Sequence, residues 1–382
     1  MDMLANKTWL IVMLLLIFAG SATADIRLIL PPRIYAVPGL ESNIYFDNIM
    51  LVKNMQDYTV CVKCSKGRQL SDRWMYNPKP DEAGEYPLTI SVLDDENKPV
   101  ASATTSLRVA KPDAGGNLDV RMLIIGDSLT YAGVYPDEIY KLCQRTGNPK
   151  LTLLGSRPPN SSAEYLRYEG YGGWSFAMFC TGYTEPDIIN GRRARSPFVF
   201  KENGKPALNF ARYVKEQCGG SAPDIVAIGL GTNDIFLGTD ADIDAKIDTI
   251  FSYADKLISN IKAAGPDTKI GFLLLVPPAA SQDAFGENYG CMQTRWQYRR
   301  NQHRYVERQF QKYGGREKEG LHLIPTYTNI DTVYNFPRRE VFANNRTDIR
   351  IVRMVNGVHP SADGYRQMAD SIYCWLKNIL QN

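Results

Sequence analysis

The chain has 382 residues, of which 44% are hydrophobic and 22% are charged, a composition that is ordinary for a globular protein. This length is too great for one compact core, so two domains are expected. The formal net charge of +3 neither requires nor excludes a polyanionic partner, and no stretch after residue 24 is long and apolar enough to be a membrane anchor.

The first residues have the pattern of an export signal. Lys7 precedes an apolar run over residues 9–19, and a small-residue A-x-A end closes the segment at Ala24. The apolar run is too short to span a bilayer. We therefore predict that residues 1–24 are a signal peptide and that the mature chain, which begins near Asp25, is periplasmic or secreted.

The next segment, residues 25–115, is predicted to form an all-β sandwich. Its short runs of β-branched and aromatic residues are separated by Pro, Gly and Asp clusters, a spacing that favours a sandwich over an α/β fold. The runs are IRLIL, RIYAV, NIYFDNIMLV, YTVCVKC, YPLTISVLDD and VASATTSLRVA.

Aromatic residues in this segment give two further expectations. The stretch DEAGEYPL, residues 81–88, resembles the start of an F strand in an immunoglobulin-like domain, where the hydroxyl of Tyr86 would bond to nearby backbone. Leu88 stands where antibody domains have a cysteine, so that disulfide is not expected. Trp74 and Tyr76 would stack on sugar if they were exposed, but positions in the core are the favoured interpretation.

The seven cysteines all follow the predicted signal peptide, and their odd number prevents complete internal pairing. Cys61 and Cys64 form a single C-x-x-C with no second pair and no nearby His, which disfavours a zinc site. Their offset of three in a strand places them on opposite faces. We expect buried free thiols and no metal.

A linker-like stretch over residues 110–119 separates this segment from a different pattern. Continuous apolar runs then alternate with helical segments, of which residues 242–266 are the clearest. This alternation predicts a parallel sheet buried on both faces, with its chemistry at the carboxyl ends of the strands. The runs are VRMLIIG, LTLLG, DIVAIGLG, KIGFLLLVP and LHLIP.

A serine directly follows the first of these strands. Ser128 needs a neighbouring base to act as a nucleophile, and the chain has three His. His303 lies in a basic helical run and His322 in an apolar strand. His359 lies in a loop before the last helix, where catalytic residues concentrate. Asp127, beside the serine, is expected to cap the turn.

Four motifs, IIGDSL, YGGW, GTND and NGVHP, occur in the order and approximate spacing of the GDSL or SGNH esterase family, which the sequence from residue 116 to 382 resembles. The resemblance implies a flavodoxin-like α/β/α sandwich that hydrolyses esters without a metal or cofactor. It also implies Ser128 as nucleophile and His359 as base. The implied oxyanion hole consists of the N–H groups of Ser128 and Gly173 and the side-chain amide of Asn233.

The sequence departs from this family at Asn356, where members usually have an aspartate three residues before the catalytic histidine. An Asn accepts the same hydrogen bond from the ring but offers no charge. Three interpretations stay open: a Ser-His-Asn site, a carboxylate such as Asp363 in the orienting role, or a degraded site that only binds. We favour the first because the other motifs are intact, and Asp363 suits a first-turn acid.

The block EGYGGW, residues 169–174, resembles the corresponding block of SGNH carbohydrate esterases. We therefore expect an acetylated carbohydrate substrate, with a non-catalytic glycan-binding protein or a lipid acyl hydrolase as alternatives. Residues 186–200 are predicted to form a wall of the active site.

A basic segment, residues 295–318, is predicted to be a solvated helix with an aromatic inner face. A basic wall for an acidic glycan is the alternative. Nucleic acid is disfavoured as a partner by the predicted export and the small net charge.

Overall fold

The computed structural model describes residues 26–156 and 163–381. The predicted signal peptide, residues 1–24, lies outside the described residues. Within them, no helix combines the length and the apolar composition needed to cross a membrane. The same residues contain no cluster of three or more His, Cys, Asp or Glu side chains arranged to hold a metal ion.

Between residues 26 and 110, seven strands form two small sheets. They are β1 (Arg33–Ala36), β2 (Ser42–Tyr45), β3 (Thr59–Cys64), β4 (Arg68–Gln69), β5 (Arg73–Tyr76), β6 (Gly84–Leu93) and β7 (Pro99–Val109). One sheet has the order β1-β7-β6-β3 and the other has the order β2-β5-β4. Buried side chains of both sheets belong to one hydrophobic core, including Trp74, which is 1% exposed, and Tyr76. The predicted core positions of these two aromatics are confirmed.

Two of the predicted β runs are wrong in part. The run that begins at Ile26 makes only an isolated bridge, between Leu28 and Met50. The predicted run that begins at Asn43 is a strand only as far as Tyr45, where β2 ends, and a short helix, α1 (Phe46–Ile49), follows directly. Tertiary bonds hold this turn, because the buried Asn48 amide donates to two backbone carbonyls near residue 330, at 2.7 and 2.8 Å.

The tyrosine prediction is confirmed, since the Tyr86 hydroxyl donates to the Glu82 carbonyl at 3.0 Å. All seven cysteines are free thiols. Cys61 and Cys64 lie on opposite faces of β3, as expected, but Cys61 is exposed and Cys64 only half-buried. The expectation of burial is wrong here because β3 is at the edge of its sheet and its outer face is open.

The rest of the chain contains twelve strands and nine helices among the described residues. The strands are β8 (Asp119–Gly126), β9 (Lys150–Leu154), β10 (Glu169–Gly170), β11 (Ile188–Ile189), β12 (Arg192–Arg193), β13 (Val199–Glu202), β14 (Lys205–Leu208), β15 (Ile225–Gly229), β16 (Lys269–Leu273), β17 (Leu321–Ile324), β18 (Arg338–Phe342) and β19 (Arg350–Met354). The helices are α2 (Ser128–Tyr131), α3 (Val134–Cys143), α4 (Phe176–Thr181), α5 (Phe210–Gln217), α6 (Thr232–Ile235), α7 (Ile243–Ala264), α8 (Gln282–Tyr289), α9 (Arg295–Tyr313) and α10 (Ala362–Ile379). Single 3₁₀ turns occur at Met55–Asp57 and Glu317–Glu319.

The five predicted apolar runs form a parallel sheet with the order β9-β8-β15-β16-β17, and the short β10 pairs with β8 beyond the end of β9. Counted within this half of the chain, the order is 2-1-3-4-5, as in flavodoxin. The predicted α/β fold is confirmed. In such a sheet the point where the strand order reverses, here between β8 and β15, is where sites form.

Both faces of this sheet are buried, which explains the continuous apolar runs. Leu123 and Ile125 of β8 belong to one hydrophobic core, whereas Met122 and Ile124 belong to the other. Helices α7 and α9 contribute side chains to the first core, and helices α3 and α10 to the second. The helix predicted over residues 242–266 is confirmed as α7. In α10, Tyr365, Met368, Ile372 and Leu376 are buried on the inner face, and Ile379 at the end of the helix is partly buried.

The N-terminal segment is bonded directly to this α/β half. The buried His303 ring of α9 lies 3.1 Å from the Arg27 carbonyl, and Arg299 pairs with Asp47 at 2.9 Å. The Tyr327 hydroxyl donates to the backbone of residue 29 at 2.6 Å. The domain boundary at residue 115 stays a prediction.

Candidate active site

The carboxyl end of β8 is where three of the sequence motifs meet. Gly126, its last residue, pairs with Gly170 of β10 on one side and with Gly229 of β15 on the other. A Cβ atom at position 126 would lie 1.8 Å from Thr130 Oγ1 and 2.9 Å from the Gly229 carbonyl oxygen. Only glycine therefore fits, and its small size allows the three segments to lie side by side.

Ser128 is the first residue of α2 and is half-buried. Asp127 caps this helix, since its Oδ1 accepts the Leu129 N–H at 2.9 Å. The predicted capping role is confirmed. Asp127 is completely buried, and this burial raises the pKa of its carboxyl to about 6. The cap fixes the direction in which the chain leaves the strand, and so the place of the serine.

The hydroxyl of Ser128 is bonded to the ring of His359, although the two residues are far apart in sequence. The distance from His359 Nε2 to Ser128 Oγ is 2.8 Å, and the distance from Nδ1 to Asn356 Oδ1 is 3.3 Å. Burial lowers the pKa of the His359 imidazole from its ordinary value of 6.5. A neutral ring with its proton on Nδ1 donates to Asn356 and accepts from Ser128, as a general base must.

The orientation of the Asn356 amide is set by the loop itself. Its Oδ1 also accepts the backbone N–H of His359 at 2.8 Å and that of Val358 at 3.1 Å. The carboxyl of Asp363 instead bonds to Arg366 at 2.6 Å, on the exposed first turn of α10. The structure therefore brings Asn356, and not Asp363, into contact with the imidazole.

The two remaining predicted residues lie on the segments that flank the serine. Gly173 has a φ of +80° and open space where a side chain would project. It belongs to a turn closed by the Trp174 N–H and the Tyr171 carbonyl at 3.3 Å. Asn233, in α6 after β15, donates one amide hydrogen to the Trp174 carbonyl at 2.9 Å. This bond joins the GGW turn to the GTND turn.

A buried acid beneath the site was not singled out in the sequence. Glu169 has no exposed surface, and its oxygens accept bonds from the backbone and hydroxyl of Ser156 at 2.6 and 3.0 Å and from the Tyr213 hydroxyl at 2.8 Å. The Tyr171 hydroxyl donates to it as well. Glu169 thus fixes the start of the GGW turn, which accounts for an acid at the head of the EGYGGW block.

The hydroxyl of Ser128 opens into a cavity of about 330 Å³. Three aromatic residues and two arginines line it together with the serine: Tyr131, Tyr171, Trp174, Arg192 and Arg193. Tyr171 and Trp174 are buried with ring centroids 4.4 Å apart, whereas Tyr131 is 43% exposed. Of residues 186–200, which were predicted to form a wall of the active site, Gly191, Arg192 and Arg193 line this cavity.

The arginines lie on a hairpin that the sequence analysis did not predict, although its turn has a sequence typical of hairpins. Ile188 pairs with Arg193 and Ile189 with Arg192, so Asn190 and Gly191 form a two-residue turn. Both turn residues have positive φ, +50° and +73°, which is the type I′ geometry that an Asn-Gly pair favours. The dipeptide Asn190-Gly191 was therefore the sequence feature from which this hairpin could have been predicted.

The basic segment after residue 295 is the predicted helix, α9, and its charges are paired. Arg304 and Arg308 bond to Asp244 of α7, both at 2.8 Å, and Arg300 bonds to Asp240 at 2.6 Å. Its tyrosines face the core. The helix and its inward-facing tyrosines are confirmed, but the prediction of a solvated helix is wrong, because nine residues of α9 are buried and within α9 Gln311 alone is exposed. The paired arginines argue against a basic wall for an acidic glycan on this helix.

The chain is similar to several solved esterases. The family 3 carbohydrate esterase of Clostridium thermocellum is 18% identical, with 69% of this chain and 97% of that chain covered and a TM-score of 0.38. An acetyl esterase mutant with an acetate ion is 17% identical, with 68% and 98% covered and a TM-score of 0.38. A family 3 carbohydrate esterase from Talaromyces cellulolyticus is 18% identical, with 68% and 98% covered and the same TM-score of 0.38. Such low similarity assigns no substrate.

No match is found among curated proteins. The model of one family, described as GDSL-like Lipase/Acylhydrolase, matches residues 122–372. This range includes β8, the serine after it and the histidine loop, and it covers more than half of the chain. The chain belongs to the GDSL-like lipase/acylhydrolase family of ester hydrolases.

Proposed function

We propose that the protein is an exported serine esterase that removes acetyl groups from carbohydrate through a Ser128-His359-Asn356 site. The observation that carries this proposal is the distance of 2.8 Å between Ser128 Oγ and His359 Nε2. A serine hydroxyl becomes nucleophilic when an adjacent base takes its proton, and this geometry is within the range for that transfer.

The proposed reaction has two halves. As Ser128 Oγ bonds to the ester carbonyl carbon, His359 Nε2 takes the hydroxyl proton, and the carbonyl oxygen becomes an oxyanion. The imidazolium then protonates the leaving sugar oxygen as the C–O bond breaks, which leaves an acetyl-serine. Water repeats the sequence with the same base, so that acetate is released and Ser128 regains its proton.

Three N–H donors are proposed to stabilise the oxyanion: the backbone of Ser128, the backbone of Gly173 and the second amide hydrogen of Asn233. The positive φ of Gly173 and the open space above it allow close approach of a substrate. Asn233 is held by its bond to the Trp174 carbonyl. Loss of one such donor costs about 3 kcal/mol of transition-state stabilisation.

The cavity supports a small acyl group on a sugar rather than a long-chain lipid. Its volume of about 330 Å³ is at the small end for ligand sites. The aromatic residues offer apolar ring faces, and the two guanidinium groups are a poor environment for a hydrocarbon chain. The bond between Ser128 and His359 favours catalysis over glycan binding alone.

Two further elements belong to this proposal. Export follows from the predicted signal peptide, residues 1–24. The two sheets of residues 25–115 are proposed to be an immunoglobulin-like sandwich that supports the α/β half. The shared core and the bonds to α9 favour a structural role over sugar binding by Trp74, which is buried.

The proposal is tested with the purified mature chain and three esters: 4-nitrophenyl acetate, 4-nitrophenyl palmitate and an acetylated xylo-oligosaccharide. We expect turnover of both acetates, little turnover of the palmitate, and loss of all turnover in Ser128→Ala without a lower melting temperature. Turnover by Ser128→Ala that is retained at the wild-type rate would exclude Ser128 as nucleophile. Faster cleavage of palmitate would favour the lipid hydrolase, and glycan binding without turnover would favour the binding protein.

A further inference from the structure

One arginine in the cavity wall has no counter-charge. Arg192 is exposed at the end of the hairpin, beside the turn, and it lines the same cavity as Ser128. Its guanidinium makes no ion pair or hydrogen bond with the described residues, 26–156 and 163–381. An arginine without an ion pair among the described residues therefore lines the same cavity as the reacting hydroxyl.

The other arginines near this charge already have partners. Arg195 pairs with Asp187 at 3.6 Å. Arg193 donates to the Arg195 carbonyl at 2.9 Å and lies with its guanidinium 5.8 Å from the centre of the Tyr171 ring. Arg193 also donates to the Ser156 hydroxyl at 3.5 Å, and this hydroxyl in turn donates to the buried Glu169 carboxyl group.

The hairpin holds Arg192 in place without using its side chain. The Asp187 carbonyl accepts the N–H groups of Ala194 at 2.8 Å and Arg195 at 3.3 Å, which closes the base of the hairpin. The type I′ turn and the pairing of Ile189 with Arg192 fix the other end. The backbone is thus preorganised, and the guanidinium is left for a ligand.

We propose that Arg192 binds the carboxylate of a uronic acid, so that the substrate is an acetylated acidic glycan. This inference rests on the proposed function of the Ser128 site. A guanidinium matches a carboxylate with two parallel hydrogen bonds. Because the cavity measures only about 330 Å³, the carboxylate lies on the acetylated sugar or on its immediate neighbour. Because the arginines of α9 are paired, we assign recognition of the acidic group to the hairpin and not to α9.

The test compares two esters that differ in one group: an acetylated methyl glucuronoside and the matching acetylated methyl glucoside. The quantity measured is the ratio of their kcat/KM values, acidic over neutral. We expect wild type to favour the acidic ester and Arg192→Gln to lower the ratio by a factor of about three to ten, as for one charge-assisted pair that solvent screens in part. Arg192→Lys keeps the charge without the planar fork and should retain part of the ratio.

A matched control is Arg68→Gln, an exposed arginine on β4 in the N-terminal sheets, which should leave the ratio unchanged. Added salt at about 0.5 M should lower the wild-type ratio, because it screens exposed charges. An equal rate on both esters in wild type, or a ratio that Arg192→Gln does not alter, would overturn this inference and leave the esterase function intact. Acyl release from phosphatidylglycerol vesicles that depends on Arg192, without preference for the acidic sugar, would also overturn it.

Binding gives a second readout that does not need turnover. In Ser128→Ala, a titration with methyl glucuronoside followed by NMR should give saturable chemical-shift changes. The dissociation constant from this titration should rise about tenfold in the double variant Ser128→Ala/Arg192→Gln. If wild type hydrolyses no ester at all, the proposed function fails, and this titration still decides the role of Arg192. Binding that is equal with and without the arginine would refute it.

Discussion

The sharpest prediction concerns Asn356, the residue at which this chain departs from its family. In the change Asn356→Asp, a carboxylate takes the position 3.3 Å from His359 Nδ1. Two backbone N–H groups already donate to the side-chain oxygen at this position, so the new carboxylate is held by the same bonds. Its negative charge stabilises the imidazolium that forms during attack on the ester.

The magnitude follows from what Asn356 already provides. Replacing a triad aspartate by asparagine can cost about 10⁴ in kcat because the amide presents its N–H to the ring and selects the wrong tautomer. Here the backbone donors fix Oδ1 toward the ring, so the tautomer is already correct and only the charge is missing. A charge pair at about 4 Å with an effective dielectric constant near 20 contributes up to about 4 kcal/mol. Solvent on this half-buried site reduces that figure, and we expect a rise of about tenfold in kcat.

The pH dependence of kcat/KM provides an independent test of the same substitution. The base must be neutral to accept the proton, so kcat/KM rises with pH through the pKa of His359. In wild type, burial lowers that pKa from 6.5, so this limb lies on the acid side of 6.5. A carboxylate beside the ring raises the pKa, and the limb of Asn356→Asp moves to higher pH.

The assay is hydrolysis of 4-nitrophenyl acetate from about pH 4 to about pH 8, with Asn356→Ala as the matched variant that removes the acceptor. Asn356→Ala should lose most of the activity, since nothing then selects the tautomer. Thermal denaturation controls for folding. A folded Asn356→Asp enzyme whose kcat falls, or whose acid limb does not move, would refute the assignment of residue 356 as the group that orients the imidazole.

Two further predictions concern acids around the site, the buried Glu169 and the half-buried Asp234. Glu169→Ala leaves several buried donors without an acceptor and should lower the free energy of urea unfolding by about 3 kcal/mol or more, whereas Glu169→Gln should cost less; equal losses would contradict a role for the carboxylate as acceptor. Burial raises the pKa of Asp234 from 3.8 to about 7, so the folded state holds a proton that the unfolded state releases, and this carboxyl lowers stability as pH rises from about 4 to about 7. Asp234→Asn should therefore gain stability over wild type by about 1–3 kcal/mol across that window in unfolding measurements, and a difference that does not change with pH would exclude this titration.

Much of the α/β half could be predicted from the sequence because its signals are local. A strand buried on both faces is a continuous apolar run, as in β8, and an amphipathic helix with a Gly-Pro end, as in α7, has its own period. Ser128 and His359 were found through motifs, and the structure brings them into contact. Their catalytic roles stay a prediction until turnover is measured.

The features that were missed depend on contacts between distant residues. The turn at Asn48 interrupts a β-like run because two carbonyls near residue 330 accept its amide hydrogens. The sequence left open a basic wall on α9 as an alternative, and this alternative is disfavoured because aspartates of α7 pair with its cations. Arg192 and Arg195 lie in the same arginine-rich stretch of sequence. Only the fold shows that Arg195 pairs with Asp187, whereas Arg192 lines the cavity.

The most direct test of the central claim is covalent trapping with an alkyl fluorophosphonate, followed by peptide mass spectrometry. If Ser128 is the activated nucleophile, the adduct forms on the peptide that contains Ser128, disappears in Ser128→Ala and forms far more slowly in His359→Ala. An adduct on another residue, or equal labelling of the Ser128→Ala variant, would contradict the proposed mechanism.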